Sequence, residues 1–399
     1  MPLARLAPAR HHRWRYSFRE STAEVPCLFM PLPRPIIDAA HTLRQLARTA
    51  WLLPLLVLGA CSSQPPAPST PSPAGSERMQ PMEWQALPGW RDDHVIAAWS
   101  AFLASCPQLA KKPRWTSVCD DAEHVDPLDE SGITRFFETR FQPYRLTNDD
   151  GSTTGTITGY YEPILNGSRD RHGPYQTPLY RFPNAWQAAP HRVRAEQRTL
   201  LESGALRGQE LVWVDDPVEA AFLQIQGSGR VRLDDGDTMR VAFAGSNNQP
   251  FRSFNRALIE RGEIDASEAT LPGVRAWAKR HPGRVKEMLT VNPRMVFFRE
   301  LDSDHSATQG PIGALGVPLT AERSLAVDPS RIPLGAPIFL STTQPLSKEP
   351  LQRLMVAQDT GSAIKGSVRA DFYWGHGDTA GERAGRMKQD GRLWVLMPK

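Results

Sequence analysis

Ala357-Gln358-Asp359-Thr360-Gly361-Ser362-Ala363-Ile364-Lys365-Gly366, followed four residues later by Asp371-Phe372-Tyr373-Trp374-Gly375-His376-Gly377, sets two aspartates twelve positions apart. Each stands at the edge of an apolar run. Val356-Ala357 and Phe372-Tyr373-Trp374 read as short buried strand segments, and the glycines as the turns that end them. Asp-Gly pairs are also ordinary turn residues. A carboxylate at a strand end where bulk water is thin has another use, because burial raises its pKa and lets it keep a proton near neutral pH. That is the state a general acid needs.

Three further segments carry candidate chemistry. Thr158-Gly159-Tyr160-Tyr161-Glu162-Pro163 sets two aromatics between glycine and proline, as substrate contacts or as core packing. Gln224-Ile225-Gln226-Gly227-Ser228-Gly229-Arg230 combines amide side chains with glycines that let a ligand approach the backbone, or else forms a tight turn. Asp328-Pro329-Ser330-Arg331-Ile332-Pro333-Leu334-Gly335 reads as an Asp-Pro turn feeding a strand. There is no GxSxG, no CxxC pair and no HExxH, and the ten histidines are scattered, so neither a serine hydrolase nor a metal site is expected.

The N-terminus reads as an address. Arg44 and Arg48 precede the apolar run Ala50 to Ala60, which is too short to span a bilayer and ends in Leu58-Gly59-Ala60-Cys61. This ending resembles a lipoprotein lipobox, in which the cysteine is lipidated, and Ser62 after it resembles lipoproteins sent to the outer membrane. Residues 1–61 are therefore read as leader and lipobox, with translation starting at Met30 an alternative. The whole chain holds 47 basic and 43 acidic residues, but residues 1–60 hold eight Arg, no Lys and three acids. The remainder carries 39 basic against 40 acidic residues, which gives no case for a nucleic-acid partner. Residues 62–83, rich in Pro and Ser, read as an extended tether with ordered structure from about Trp84. Cys106 and Cys119 are left over in a chain bound for an oxidising compartment and are expected to pair.

Helical spacing appears over Asp92–Cys106, Gly132–Phe141, Phe251–Arg261, Gly273–Arg280 and Pro282–Leu289. Strands are expected at 153–163, Leu211–Val214, Phe222–Ile225, Val231–Leu233, Met239–Phe243, Leu325–Val327, Pro337–Leu340, Leu354–Ala357, Phe372–Tyr373 and Leu393–Leu396, with a hairpin turn at Asp234-Asp235-Gly236-Asp237. Many short strands with Gly-rich corners favour a small closed barrel.

In order and spacing, these motifs together resemble the membrane-bound lytic murein transglycosylase A family. The match rests on Thr158-Gly159-Tyr160-Tyr161, Gln226-Gly227-Ser228-Gly229, Asp328 with Ile332-Pro333-Leu334-Gly335, Asp359 with Gly361–Gly366, and Asp371-Phe372-Tyr373, continued by Gly381–Gly385 and Gly391–Leu396. The resemblance implies a mainly β fold: a double-psi β-barrel with a second, inserted β-rich domain, a few helices and an active cleft between the two. It places the barrel in residues 84–162 and 301–399 and the insert in 163–300. It implies cleavage of the β-1,4 bond between N-acetylmuramic acid and N-acetylglucosamine in peptidoglycan glycan strands, leaving a 1,6-anhydro end and using no cofactor. By that resemblance Asp371 is the catalytic acid and base and Asp359 its support. Thr158, Tyr160, Gln226, Gly227 and Ser228 are then candidate substrate contacts, and Trp374, close to the acid in sequence, either stacks on a sugar face or packs in the core. Asp328, the third of the aspartates that name the barrel module, is read as structural, and His376 is unassigned. The lipid anchor implies an outer-membrane lipoprotein facing the periplasm, and cell-wall synthesis or hydrolysis complexes would be its protein partners. An inverting hydrolase using Asp359 and Asp371, or a non-catalytic glycan-binding lipoprotein, are the competing readings.

Overall fold

The structure is a computed structural model that describes residues 78–301 and 309–399, all within the compact unit Ser69–Lys399. The leader, Cys61, the alternative start at Met30 and the tether up to residue 77 lie outside the described residues. Strand β1 (Met79–Pro81) already pairs with a partner, so the tether expected through residue 83 ends earlier. Helices α1 (Ile96–Leu109), α2 (Pro113–Ala122) and α3 (Glu130–Arg140) follow, then β2 (Phe141–Leu146), which is that partner. The expected helix from Asp92 starts only at Ile96, because the Asp93 carboxylate is taken by Arg323 at 2.9 Å and by the Leu354 N–H at 2.6 Å. On α3, Asp129 caps the first turn by accepting from Gly132 N. Its face of Ile133, Phe136 and Phe137 packs on α1, with Trp99 and Phe136 edge to face at 5.1 Å.

β3 (Gly155–Glu162) ends at Pro163, where the chain leaves for a second sheet. That sheet contains β4 (Ile164–Ser168) and β5 (Thr177–Tyr180). After α4 (Gln197–Glu202) come β6 (Glu210–Val214), α5 (Pro217–Gln226), β7 (Ser228–Leu233) and β8 (Thr238–Ser246). Three helices, α6 (Phe254–Glu260), α7 (Leu271–Arg280) and α8 (Val285–Leu289), precede its last strand β9 (Val296–Glu300). The strand order is β5-β6-β4-β7-β8-β9, and β7 and β8 form the hairpin expected from the Asp-rich turn. One segment differs from expectation. Phe222–Ile225 is not a strand but the last turns of α5. Asp216 caps that helix, Pro217 takes its first position, and Gly227 closes it in the left-handed region at φ 83°.

The chain then returns with β10 (Ser324–Val327), β11 (Pro337–Thr343), β12 (Pro350–Asp359) and β13 (Ala370–His376), followed by α9 (Gly377–Arg386) and β14 (Lys388–Pro398). In the first sheet β14-β11-β12-β10-β13-β3 are neighbours in that order, and β3 also pairs with β14. Six strands therefore close into a ring, with β2 and β1 continuing from the outer end of β14. Close packing seals the outside of β3 against α9. A Cβ on Gly159 would come within 2.9 Å of the Ala384 Cα, so only glycine fits.

The two sheets are joined by buried polar contacts. Glu162 is 1% exposed and accepts from Arg230 Nε at 2.9 Å and from Arg240 Nη2 at 3.2 Å. The Gln226 side chain accepts from Tyr161 N at 3.1 Å. Charge-assisted bonds of this kind, shielded from water, hold a fixed geometry better than apolar contact alone.

Cys106 on α1 and Cys119 on α2 are joined by a disulfide, both half-cystines being buried. The bridge closes a short loop, its ends 13 positions apart. A Cys106→Ser, Cys119→Ser variant is expected to lose about 3 kcal/mol of stability in urea unfolding on the loop-entropy account. An unfolding midpoint unchanged by the double substitution would contradict this.

Candidate active site

Strand register sets the acids in one row. Ala326 on β10 lies opposite Asp359 of β12 on one side and opposite Asp371 of β13 on the other. Asp371 in turn lies opposite Thr158 of β3. Residues directly opposite in adjacent strands project to the same side of a sheet, so the four share one face. The single methyl group of Ala326 leaves the gap between the two carboxylates open. This face floors a cleft with about 760 Å³ of empty space, part of it open to solvent. The first sheet and its loops contribute Tyr160, Ala326, Asp359, Ile364, Arg369 and Asp371 to the lining. Residues 224–296 supply Gln226, Phe251, Asn292, Arg294 and Val296.

The two aspartates are held differently. Asp371 Oδ1 accepts from Thr158 Oγ1 at 2.7 Å, and Thr158 Oγ1 accepts from Arg369 Nη2 at 2.8 Å. A hydroxyl has one proton, and the Arg369 donor occupies the acceptor side, so the Thr158 proton points at Asp371. No group among the described residues bonds Asp371 Oδ2, so that atom is free to hold a proton. The carboxyl keeps an accessible edge toward the cleft but is otherwise enclosed by protein. Burial pushes its pKa up to about 6; the Thr158 bond and the Arg369 charge pull the other way, and Asp359 adds to the rise.

Asp359 accepts on both oxygens, from Ala314 N at 2.9 Å on Oδ1 and from Tyr160 OH at 3.0 Å on Oδ2. Burial raises its pKa, and the donors from Thr360, Ala314 and Tyr160 oppose the rise. A carboxylate surrounded by donors favours its ionised form, whereas one with a free oxygen can hold a proton. The row therefore contains two inequivalent acids. Tyr160 packs with Tyr373, Leu319, Ala326 and Ile364 in an apolar cluster at the cleft floor.

Other candidates are distributed unevenly. Gln226 reaches the cleft, while Gly227 and Ser228 fall outside its lining, at the cap of α5 and the start of β7. The expectation that Trp374 offers a face to a sugar is corrected. Side chains alternate along β13, so Asp371 and Tyr373 share one side while Phe372 and Trp374 share the other. The Trp374 indole is buried, 4.5 Å from Phe372 between ring centroids, and its N–H points to Met387 Sδ. Asp328 is buried and accepts from Ser330 N, Ser330 Oγ and Gly366 N. These bonds fix two loops and agree with a structural role. His376 caps the end of β13 opposite Glu162, outside the cleft lining. Among the described residues no cluster of His, Cys, Asp and Glu could hold a metal.

Sequence reasoning missed Arg369. It lies two residues before Asp371, where alternation gives it the same face, and that period was the available signal. Arg294 was missed too, and nothing in its sequence neighbourhood marks it.

Residues 156–299 match the family description "MltA specific insert domain", and residues 323–397 match "3D domain". The chain is 35% identical over 262 residues to the membrane-bound lytic murein transglycosylase A of Escherichia coli K12, covering 63% of this chain and 68% of that protein. It is 32% identical to the Vibrio cholerae protein of the same name, covering 64% and 68%. Among solved structures it is similar to a lytic transglycosylase, LtgG, of Burkholderia pseudomallei, at 54% identity and TM-score 0.59 over 81% of this chain and 96% of that one. It is also similar to MltA of Neisseria gonorrhoeae at 34% identity and TM-score 0.70, over 80% and 92%. Escherichia coli MltA with bound chitohexaose aligns at 29% identity and TM-score 0.61, over 75% and 90%. The fold, mainly β with two sheets and several helices, is shared with these structures. By sequence and by fold alike, the chain belongs to the membrane-bound lytic murein transglycosylase A family.

Proposed function

We propose that this protein is a lytic transglycosylase that cuts peptidoglycan glycan strands between N-acetylmuramic acid and N-acetylglucosamine. The observation that carries the reading is the inequivalent pair Asp359 and Asp371 at the floor of a cleft in a chain of this family. Asp371 Oδ2 donates its proton to the glycosidic oxygen as the bond to the muramyl C1 breaks. The resulting Asp371 carboxylate accepts the proton of the muramyl 6-hydroxyl as O6 bonds to C1 and the 1,6-anhydro ring closes. Asp371 ends the cycle protonated, and no water is consumed. An internal hydroxyl acts at a very high effective concentration, so one carboxyl group suffices where a hydrolase needs two. Ionised Asp359, to which Ala314 N and Tyr160 OH donate, stabilises the positive charge that develops at C1. Gln226 and Tyr160 would orient the glycan, and Gly227 and Ser228 would meet it only where the strand extends past the cleft.

In this reading, residues 84–162 and 301–399 form a double-psi barrel domain and residues 163–300 the inserted domain. The protein is anchored through lipidated Cys61 to the outer membrane, facing the periplasm. The family's membrane-bound name supports membrane association. No helix among the described residues is long and apolar enough to cross a bilayer. A Cys61→Ser variant is expected to move from the membrane fraction to the soluble fraction; retention in the membrane would refute lipid anchoring.

Digestion of purified sacculi tests the chemistry. The products should carry anhydro ends that are one water lighter than hydrolysed ends, and Asp371→Asn should lower the rate by about 10²–10⁴-fold. Hydrated ends would instead indicate an inverting hydrolase using Asp359, and full activity in the variant would remove Asp371 from its role.

The acid must be protonated to act, so activity should fall as pH rises through about 6. The Arg369 charge holds the Asp371 pKa down, so Arg369→Gln should raise it and move this alkaline limb to higher pH. A pH–rate profile of kcat/KM with its limb unmoved, or moved to lower pH, would contradict the Arg369–Thr158–Asp371 arrangement.

A further inference from the structure

Arg294 is a half-buried cation in the cleft wall, and its charge has no counter-ion among the described residues. One guanidinium nitrogen, Nη1, donates to the Gln249 carbonyl at 3.1 Å. No carboxylate pairs with it among the described residues, in contrast to Arg230, Arg240 and Arg323, whose guanidinium groups each meet an acid. Burial alone shifts its pKa downward, with no compensating negative charge. It is not the counter-ion of the catalytic pair either. The charges that act on Asp371 are those of Arg369 and Asp359, and Asp359 is governed by burial and by hydrogen bonds. Desolvating a cation without a partner costs free energy, so the arrangement makes sense where a ligand supplies the partner.

The cation is also held in place. The Asn292 carboxamide is nearly buried, and its Oδ1 accepts from Arg252 N at 3.1 Å and from Arg294 N at 3.2 Å. This staples the loop before α6 to the loop before β9. A guanidinium has five N–H donors in a fixed fork, and one bond to Gln249 leaves a forked edge for a carboxylate. Phe251, which is 38% exposed, lines the same part of the cleft. A neutral sugar chain would need no cation here.

We infer that Arg294 binds a carboxylate carried by the 3-O-substituent of a muramyl sugar, and so distinguishes peptidoglycan strands from neutral N-acetylglucosamine polymers. This rests on the transglycosylase reading above and specifies its substrate. The carboxylate has two sources of the same chemistry. One is an acid of the stem peptide. The other is the lactyl acid exposed where an amidase has removed the stem. Because the muramyl group is the one that forms the anhydro ring, a contact to its substituent also sets which sugar stands over Asp371.

Binding to uncleaved strands tests this directly, in an Asp371→Asn background with and without Arg294→Gln. The three ligands are glycan strands with stems intact, strands stripped by amidase, and chitohexaose. Arg294→Gln is expected to weaken binding of at least one of the anionic strands about tenfold, to change the chitohexaose Kd less than twofold, and to flatten the salt dependence of strand binding. A loss only with stem-bearing strands assigns the stem acid, a loss only on stripped strands assigns the lactyl acid, and a loss on both shows that the site takes either carboxylate. An equal loss on chitohexaose, or none on either strand, overturns the inference. With Asp371 intact, the same substitution should raise KM on the affected strand and leave kcat nearly unchanged. Absence of cleavage by the otherwise unsubstituted enzyme would count against the transglycosylase reading, while the binding comparison still decides the role of Arg294.

Discussion

The register of β13 between β10 and β3 is the constraint on which the cleft depends. It sets Asp371 opposite Ala326 on one side and opposite Thr158 on the other. A slip of one residue would turn Asp371 to the opposite face and present Ala370 or Phe372 to the cleft. The register is held from both faces of the strand. Phe372 and Trp374 fill the side away from the cleft, while Tyr373 packs with Tyr160 on the side of the acid, with ring centroids 5.3 Å apart. The polar row is thus positioned by the packing of aromatic neighbours on both faces of the strand.

The same row explains why two identical side chains differ. Asp359 ends its strand where loop residue Ala314 and the Tyr160 hydroxyl can both donate to it. Asp371 sits within its strand, where backbone N–H groups are committed to the ladder and its one donor is a hydroxyl. Strand end against strand interior is therefore a difference in donor supply. Burial raises the pKa of both, and the donors that oppose the rise are more numerous at Asp359 than at Asp371.

Much of this was readable from the chain, for definable reasons. The β7–β8 hairpin was legible because period-two alternation on both sides of Asp234-Asp235-Gly236-Asp237 leaves no other register. The two acids were legible as polar residues at the edges of apolar runs, although Asp371 lies inside its strand, and the family resemblance implied their roles. α5 was misread because Phe222-Leu223-Gln224-Ile225 is as apolar as a strand, and its caps, Asp216 and Gly227, were not weighed against that run. Trp374 was misassigned by counting proximity in sequence to Asp371 instead of parity along the strand. Arg294 was illegible in a stronger sense. Its significance is the lack of a nearby carboxylate, and a missing neighbour is a property of three-dimensional packing.

The closing of the ring has a consequence for when the protein can act. β3, which carries Thr158, is held between β13 and β14, and the Thr158–Asp371 bond joins positions 213 residues apart. The floor of the cleft is incomplete until β13 and β14 have been made and have docked. Contacts of such long range form late, after the loop between them has been closed. Before the ring closes, the chain lacks the row of side chains that floors the cleft. Its topology delays the cleft until β13 and β14 have docked.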